Sequence, residues 1–114
     1  MGYRSEVIII IHKQLIPEWL QMLCQNEAAR ELVFSDRDES ETDFNNEGHL
    51  MYRWENLKWY NSYDCVSAIE KWLHTQDEEF VRFVRCGEEG DDTEEIGWLA
   101  SDQVYPVVYN RLEY

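Results

Sequence analysis

Five consecutive β-branched residues, Val7-Ile8-Ile9-Ile10-Ile11, stand near the start of this 114-residue chain. Successive side chains of a strand point to opposite faces, so a run that is apolar at every position needs cover on both sides. The run therefore predicts the central strand of a sheet, and the other elements have to be arranged around it. Flanked by Arg4, Glu6, His12 and Lys13, it is too short for a signal-peptide core or a membrane span.

Pro17 sits where a first helical turn accepts it, and Trp19, Leu20, Met22, Leu23 and Cys24 recur at three- and four-residue spacing. This predicts an amphipathic helix over roughly 17–33, prolonged by Ala28 and Ala29. From Ser35 to Gly48 the apolar periodicity disappears, which predicts a loop. Leu50, Tyr52 and Trp54 then alternate with polar or flexible residues, as do Leu57 and Trp59, with a phase slip at Glu55-Asn56. A slip of one residue means a bulge in one strand or a tight turn between two; two short strands or one strongly bent strand is the favoured reading.

Asp64 is a suitable helix N-cap, and Val66, Ile69, Trp72 and Leu73 form an apolar stripe behind it, predicting a second helix over about 65–75. Phe80 to Arg85 reads as a strand with Phe80, Arg82 and Val84 on one face and Val81, Phe83 and Arg85 on the other. Its basic side chains are expected to face acidic neighbours. Gly87 and Gly90 punctuate a second acidic loop, and Gln103 to Tyr109 can form a last strand, which Pro106 confines to an edge. The order predicts one α+β domain over residues 1–114: a mostly antiparallel sheet with two helices packed on one face, in ferredoxin-like order. At this length two independent cores are not expected.

Charge is the second constraint. Asp and Glu outnumber Lys and Arg by 24 to 10, and two stretches carry −12 of the formal −14. Residues 36–47 hold Asp36, Asp38, Glu39, Glu41, Asp43 and Glu47 against Arg37, a net of −5. Residues 77–95 hold Asp77, Glu78, Glu79, Glu88, Glu89, Asp91, Asp92, Glu94 and Glu95 against Arg82 and Arg85, a net of −7. Residues 48–76 sum to zero. With 44% hydrophobic residues and sixteen aromatics, the chain still has the apolar surface to fold.

No pattern in the sequence calls for a catalytic or metal centre. His12, His49 and His74 form no HxxxH or HExxH, and Cys24, Cys65 and Cys86 form no CxxC. Three scattered cysteines suit a reduced, cytoplasmic protein with each thiol a small buried hydrophobe. Asp36-x-Asp38-x-Ser40 begins like a calcium loop, but Glu41 occupies the position that needs glycine. There is no GxSxG, P-loop or GxGxxG, so the expectation is a non-enzymatic protein without cofactor. Direct nucleic-acid binding is disfavoured, because a phosphate-dense surface repels a chain of net charge −14 whose basic residues do not cluster.

What clustered carboxylates do well is attract a basic partner. Alternate residues of an extended segment lie about 6.6 Å apart on one face, so Asp36/Asp38 or Glu39/Glu41 can make a phosphate-like row. The candidate partner-binding residues are Asp36, Asp38, Glu39, Glu41, Asp43 and Glu47 from the first stretch, and Glu88, Glu89, Asp91, Asp92, Glu94 and Glu95 from the second. Phe44, Tyr60, Tyr63 and Trp98 are the aromatic contact candidates.

Met1-Gly2-Tyr3-Arg4-Ser5-Glu6-Val7, together with Leu57-Lys58-Trp59-Tyr60 followed by Tyr63, Val66, Ile69 and Glu70, resembles small acidic proteins encoded by phages and mobile elements. The resemblance implies the company of host-defence inhibitors, among them anti-CRISPR and anti-restriction proteins that act as DNA mimics. It supplies no catalytic motif, and the strand-rich start sets this chain apart from all-helical mimics. The implied partner is a basic nucleic-acid-binding protein or CRISPR effector complex in the host bacterial cytoplasm. Rival expectations are an immunity protein that neutralises a basic nuclease toxin, or a small regulatory or structural phage protein.

Overall fold

In the computed structural model, residues 4–35, 37–60, 62–88, 92–101, 104–106 and 112–113 are described. The Val7–Ile11 run lies in β1 (Ser5–Ile11), which occupies the middle of a five-stranded antiparallel sheet of order β2-β3-β1-β4-β5. All five of its β-branched side chains are fully buried. On one side Val7, Ile9 and Ile11 meet Leu50, Tyr52, Trp54, Val81 and Phe83 and the helices; on the other Ile8 and Ile10 meet Phe44, Met51, Val84, Cys86 and Val104. The two-faced apolar run and the two-faced core are the same fact seen at two levels.

The fold is α+β, with three α-helices among the described residues in place of the expected two. The stretch expected as one helix is divided into α1 (Ile16–Gln25) and α2 (Glu27–Phe34). Asn26 divides it: its backbone is extended, at φ −136° and ψ 100°, and its Oδ1 accepts the Ala29 N–H at 3.0 Å to cap α2. A side chain that satisfies first-turn donors starts a new helix rather than continuing the old one. α3 (Asp64–His74) forms near the expected bounds, but Asp64 lies in its first turn and Tyr63 is the cap residue, with no side-chain hydrogen bond.

Residues 39–44, expected as loop, form β2 (Glu39–Phe44), paired with β3 (His49–Leu57). Asn45, Asn46 and Gly48 take positive φ values of 61°, 60° and 80° in the connecting turn. These residue types tolerate that region, so the turn closes cheaply and the polar strand follows the hairpin. The phase slip at Glu55-Asn56 resolves as a bulge in one strand rather than two strands, since Ser5 faces Leu57 while Val7 faces Trp54. β4 (Val81–Cys86) pairs with β1 and with β5 (Thr93–Gly97), so part of the second expected loop is an edge strand. Tyr105–Pro106 (β6) pairs with Leu112–Glu113 (β7) in a separate two-stranded sheet, shorter than the strand expected over 103–109. Residues 103 and 107–109 lie outside the described residues.

A row of rings crosses the helix-side core. Trp72, Trp19, Tyr52, Trp54, Trp59 and Phe83 follow one another at centroid spacings of 5.3, 5.9, 6.4, 6.0 and 5.5 Å. A buried indole N–H needs an acceptor. Trp19 donates to the Tyr52 hydroxyl, Trp54 to the Leu32 carbonyl and Trp59 to Glu70. Among the described residues no helix is long and apolar enough to cross a membrane.

Candidate partner-binding surface

Many of the acidic residues are counterions of the protein's own arginines. Arg82 and Arg85 are three positions apart on β4 and point to opposite sheet faces. Both are buried. Arg82 donates to Glu95 at 2.7 Å, to the Gly97 carbonyl at 2.8 Å and to the Val104 carbonyl at 2.9 Å. Arg85 donates to Asp92 at 2.7 Å, to Glu94 at 2.8 Å and to Ser5 Oγ at 3.0 Å. Its pKa is raised: burial works against the charge, and the carboxylates of Asp92 and Glu94 overcome it. Arg53 gathers Glu6, Glu39 and Glu55 in the same way, at 2.6, 3.0 and 3.0 Å.

This changes the standing of several candidates. Glu39, Asp92, Glu94 and Glu95 neutralise buried or half-buried guanidiniums, so they add little to the outward field. Asp38 accepts the Glu55 N–H at 2.7 Å, and Asp43 accepts the Gly48 N–H at 2.8 Å, closing the β2–β3 turn. Phe44 is not a contact residue. It is 4% exposed and fills the second core, because as the last residue of β2 it turns inward beneath Met51. Tyr60 is half-buried, with its ring 5.2 Å from that of the exposed Tyr63. Glu41 and Glu88 are exposed. Asp36, Glu89 and Asp91 lie outside the described residues.

The two acidic runs form opposite edges of the sheet as β2 and β5, four strand spacings or about 19 Å apart. At one end of the sheet, however, their turns draw together. Ile11 pairs with both Leu50 and Val81, which brings the β2–β3 turn and the 77–80 segment to the same end of β1. His12 sits between them, with its ring centroid 4.4 Å from that of His49 and 4.8 Å from that of Phe80. Glu47 Oε2 approaches His49 Nε2 at 3.4 Å. On the far side the backbone N–H of Trp98 donates to the Glu78 carbonyl at 2.9 Å, and Asp77, Glu78, Glu79 and Trp98 line one open depression.

His12 reads this environment. Burial, His49 and Lys13 hold its pKa below the ordinary value, against the pull of Glu47 and Glu79. A neutral imidazole at physiological pH leaves the carboxylates of this end uncompensated by the histidine. Here too stands Trp98, 55% exposed, the largest apolar ring left open on the described surface. Asp77, Glu78 and Glu79 belong to the second charged stretch but are not among the contact residues expected from the sequence. Their proximity to Trp98 depends on the pairing of β4 with β5, and no local pattern announces it.

No protein family, curated protein or solved structure matches the chain. Among the described residues no group of three His, Cys, Asp or Glu side chains is placed to hold a metal ion.

Proposed function

We propose that this protein is a non-enzymatic, phage-type inhibitor that binds a basic nucleic-acid-binding surface on a host defence nucleoprotein complex, with a CRISPR effector as the leading target. The observation that carries the proposal is the placing of Glu47, in the 45–48 turn, at the same end of the sheet as Asp77, Glu78, Glu79 and Trp98. Carboxylates outside the arginine pairs supply steering, and an exposed indole supplies the apolar anchor that lengthens a complex's life. The acids present a phosphate-like patch, and Trp98 fits a crevice beside the basic groups of the partner.

A ferredoxin-like reading of the frame is supported by the order β2-β3-β1-β4, with α1 and α2 in the first crossover, α3 in the second, and β5 added at the edge. That frame holds the 45–48 turn and the 77–80 segment in fixed relation.

The test is affinity capture of the tagged protein from a host lysate at low and high salt, with and without competing DNA. A nucleic-acid-binding complex released by salt and by DNA is expected. Charge reversal of Glu47, Asp77, Glu78 and Glu79 to lysine should abolish capture, and Trp98→Ala should shorten the residence time. Capture that survives both changes would refute the assignment of this surface.

A further inference from the structure

We propose that the cleft between the end of β3 and the first turn of α3 binds a small amphipathic anion: an apolar body of about a dozen non-hydrogen atoms ending in a carboxylate or similar acid. The cleft has a volume of about 350 Å³ and is lined by Arg4, Leu32, Leu57, Lys58, Tyr63, Cys65 and Val66. At about 30 Å³ for each liquid water, that volume corresponds to roughly a dozen such atoms.

The fold explains the opening. Pairing of β3 with β1 ends where Leu57 faces Ser5, after the bulge, and the chain then leaves the sheet toward α3. Leu32 of α2, Leu57, Cys65 and Val66 provide apolar walls, and Arg4 and Lys58 complete the lining. Tyr63 is 41% exposed, so one side of its ring is open for a ligand to cover.

The charge of the lining selects the ligand. In a chain of net charge −14, this cleft brings two cations to apolar walls. Among the described residues the ion pairs belong to His49, Arg53, Arg82 and Arg85, and no salt bridge holds Arg4 or Lys58, although Arg4 also borders a second depression with Glu6, Glu55 and Glu88. The guanidinium of Arg4 makes one long hydrogen bond, 3.5 Å to the Asn56 carbonyl. Two basic residues beside apolar walls match an acid group carried on a hydrocarbon body. The first turn of α3 borders the cleft and carries no side-chain cap, which favours the same sign of ligand. Asp64 in that turn opposes it, but is exposed and does not line the cleft.

The experiment titrates decanoate, decanol and decyltrimethylammonium, each below its micelle concentration, into the isotopically labelled full chain and follows backbone amide resonances. Decanoate should shift Lys58, Tyr63, Cys65 and Val66 saturably and bind about tenfold more tightly than decanol, the worth of one charge-assisted contact. The double variant Arg4→Gln/Lys58→Gln should bring decanoate down to the affinity of decanol while leaving decanol binding and the remaining spectrum unchanged. Absence of saturable shifts at those amides would overturn the proposal. So would equal affinity for decanoate and decanol, or decanoate binding that the double variant leaves intact.

Discussion

Replacement of Arg82 by methionine tests whether the carboxylates of β5 serve the fold. The Arg82 side chain is 4% exposed and its nitrogens reach three acceptors: the Glu95 carboxylate and the carbonyls of Gly97 and Val104. Methionine retains much of the apolar stem but strands the Val104 and Gly97 oxygens and leaves Glu95 without its cation. Removing one partner of a buried charged network costs about 3–5 kcal/mol, against a total stability of roughly 5–15 kcal/mol for a domain. At about 4 °C per kcal/mol for this chain length, the melting temperature should fall by about 12–20 °C. Glu95→Gln makes the control. Its side chain is 47% exposed and the arginine keeps both carbonyls, so the loss should stay below about 1 kcal/mol. Urea unfolding followed by tryptophan fluorescence measures both variants. Equal, small losses would show that Arg82 does not anchor β5 and the 97–104 segment, and the division between structural and outward-facing acids would fail with it.

Gly97→Ala should destabilise by more than about 3 kcal/mol or prevent folding. At φ 73° an added Cβ would stand 2.1 Å from the Val81 carbonyl oxygen, and circular dichroism of the purified variant checks this. Stability should also decline as pH falls through the ordinary histidine pKa of 6.5 toward the lowered value of folded His12. In that window the unfolded chain takes up the proton first, so ΔG of unfolding rises with pH. His12→Asn, which can still accept the Gln14 N–H, should flatten the slope of urea midpoints between about pH 7.5 and 5.5. Thiol labelling at pH 8 should modify exposed Cys24 at once and Cys86 only on unfolding, because burial raises the Cys86 pKa to about 11. Rapid labelling of Cys86 in the native state would contradict its place in the second core.

The centre of the fold was legible because Val7–Ile11 permits so few environments. The edges were not. Glu39 to Asp43 has no inward-facing apolar position, so no period-2 signal marks β2; its pairing follows from the Asn45-Asn46-Glu47-Gly48 turn and the backbone bonds to β3. The break at Asn26 was hidden for a related reason, since the apolar stripe continues through it while a single capping oxygen ends the helix. In the candidate surface, the alternation of Phe80 to Arg85 did foretell that Arg82 and Arg85 would meet acids. Which acids depends on register: Arg82 lies opposite Gly97 and Arg85 opposite Glu94. The burial of Phe44 and the approach of His12 to His49 arise from residues far apart in sequence, beyond the reach of any local pattern.

The two outer strands have a consequence for crowding. An unpaired strand edge invites a second copy to extend the sheet, and here β2 offers the exposed Glu41 and Asp43 at its border, whereas Glu94 and Glu95 at the β5 border are held by Arg85 and Arg82. Two copies meeting along β2 would bring these acids within about 4.8 Å of each other, where each unscreened like-charge pair costs about 1 kcal/mol even in bulk water. The protection is conditional on ionisation. Near the sequence isoelectric point of about 4.4 the barrier collapses, so self-association into sheet-extended aggregates should begin as the solution becomes acidic, while the β1-centred core is still intact.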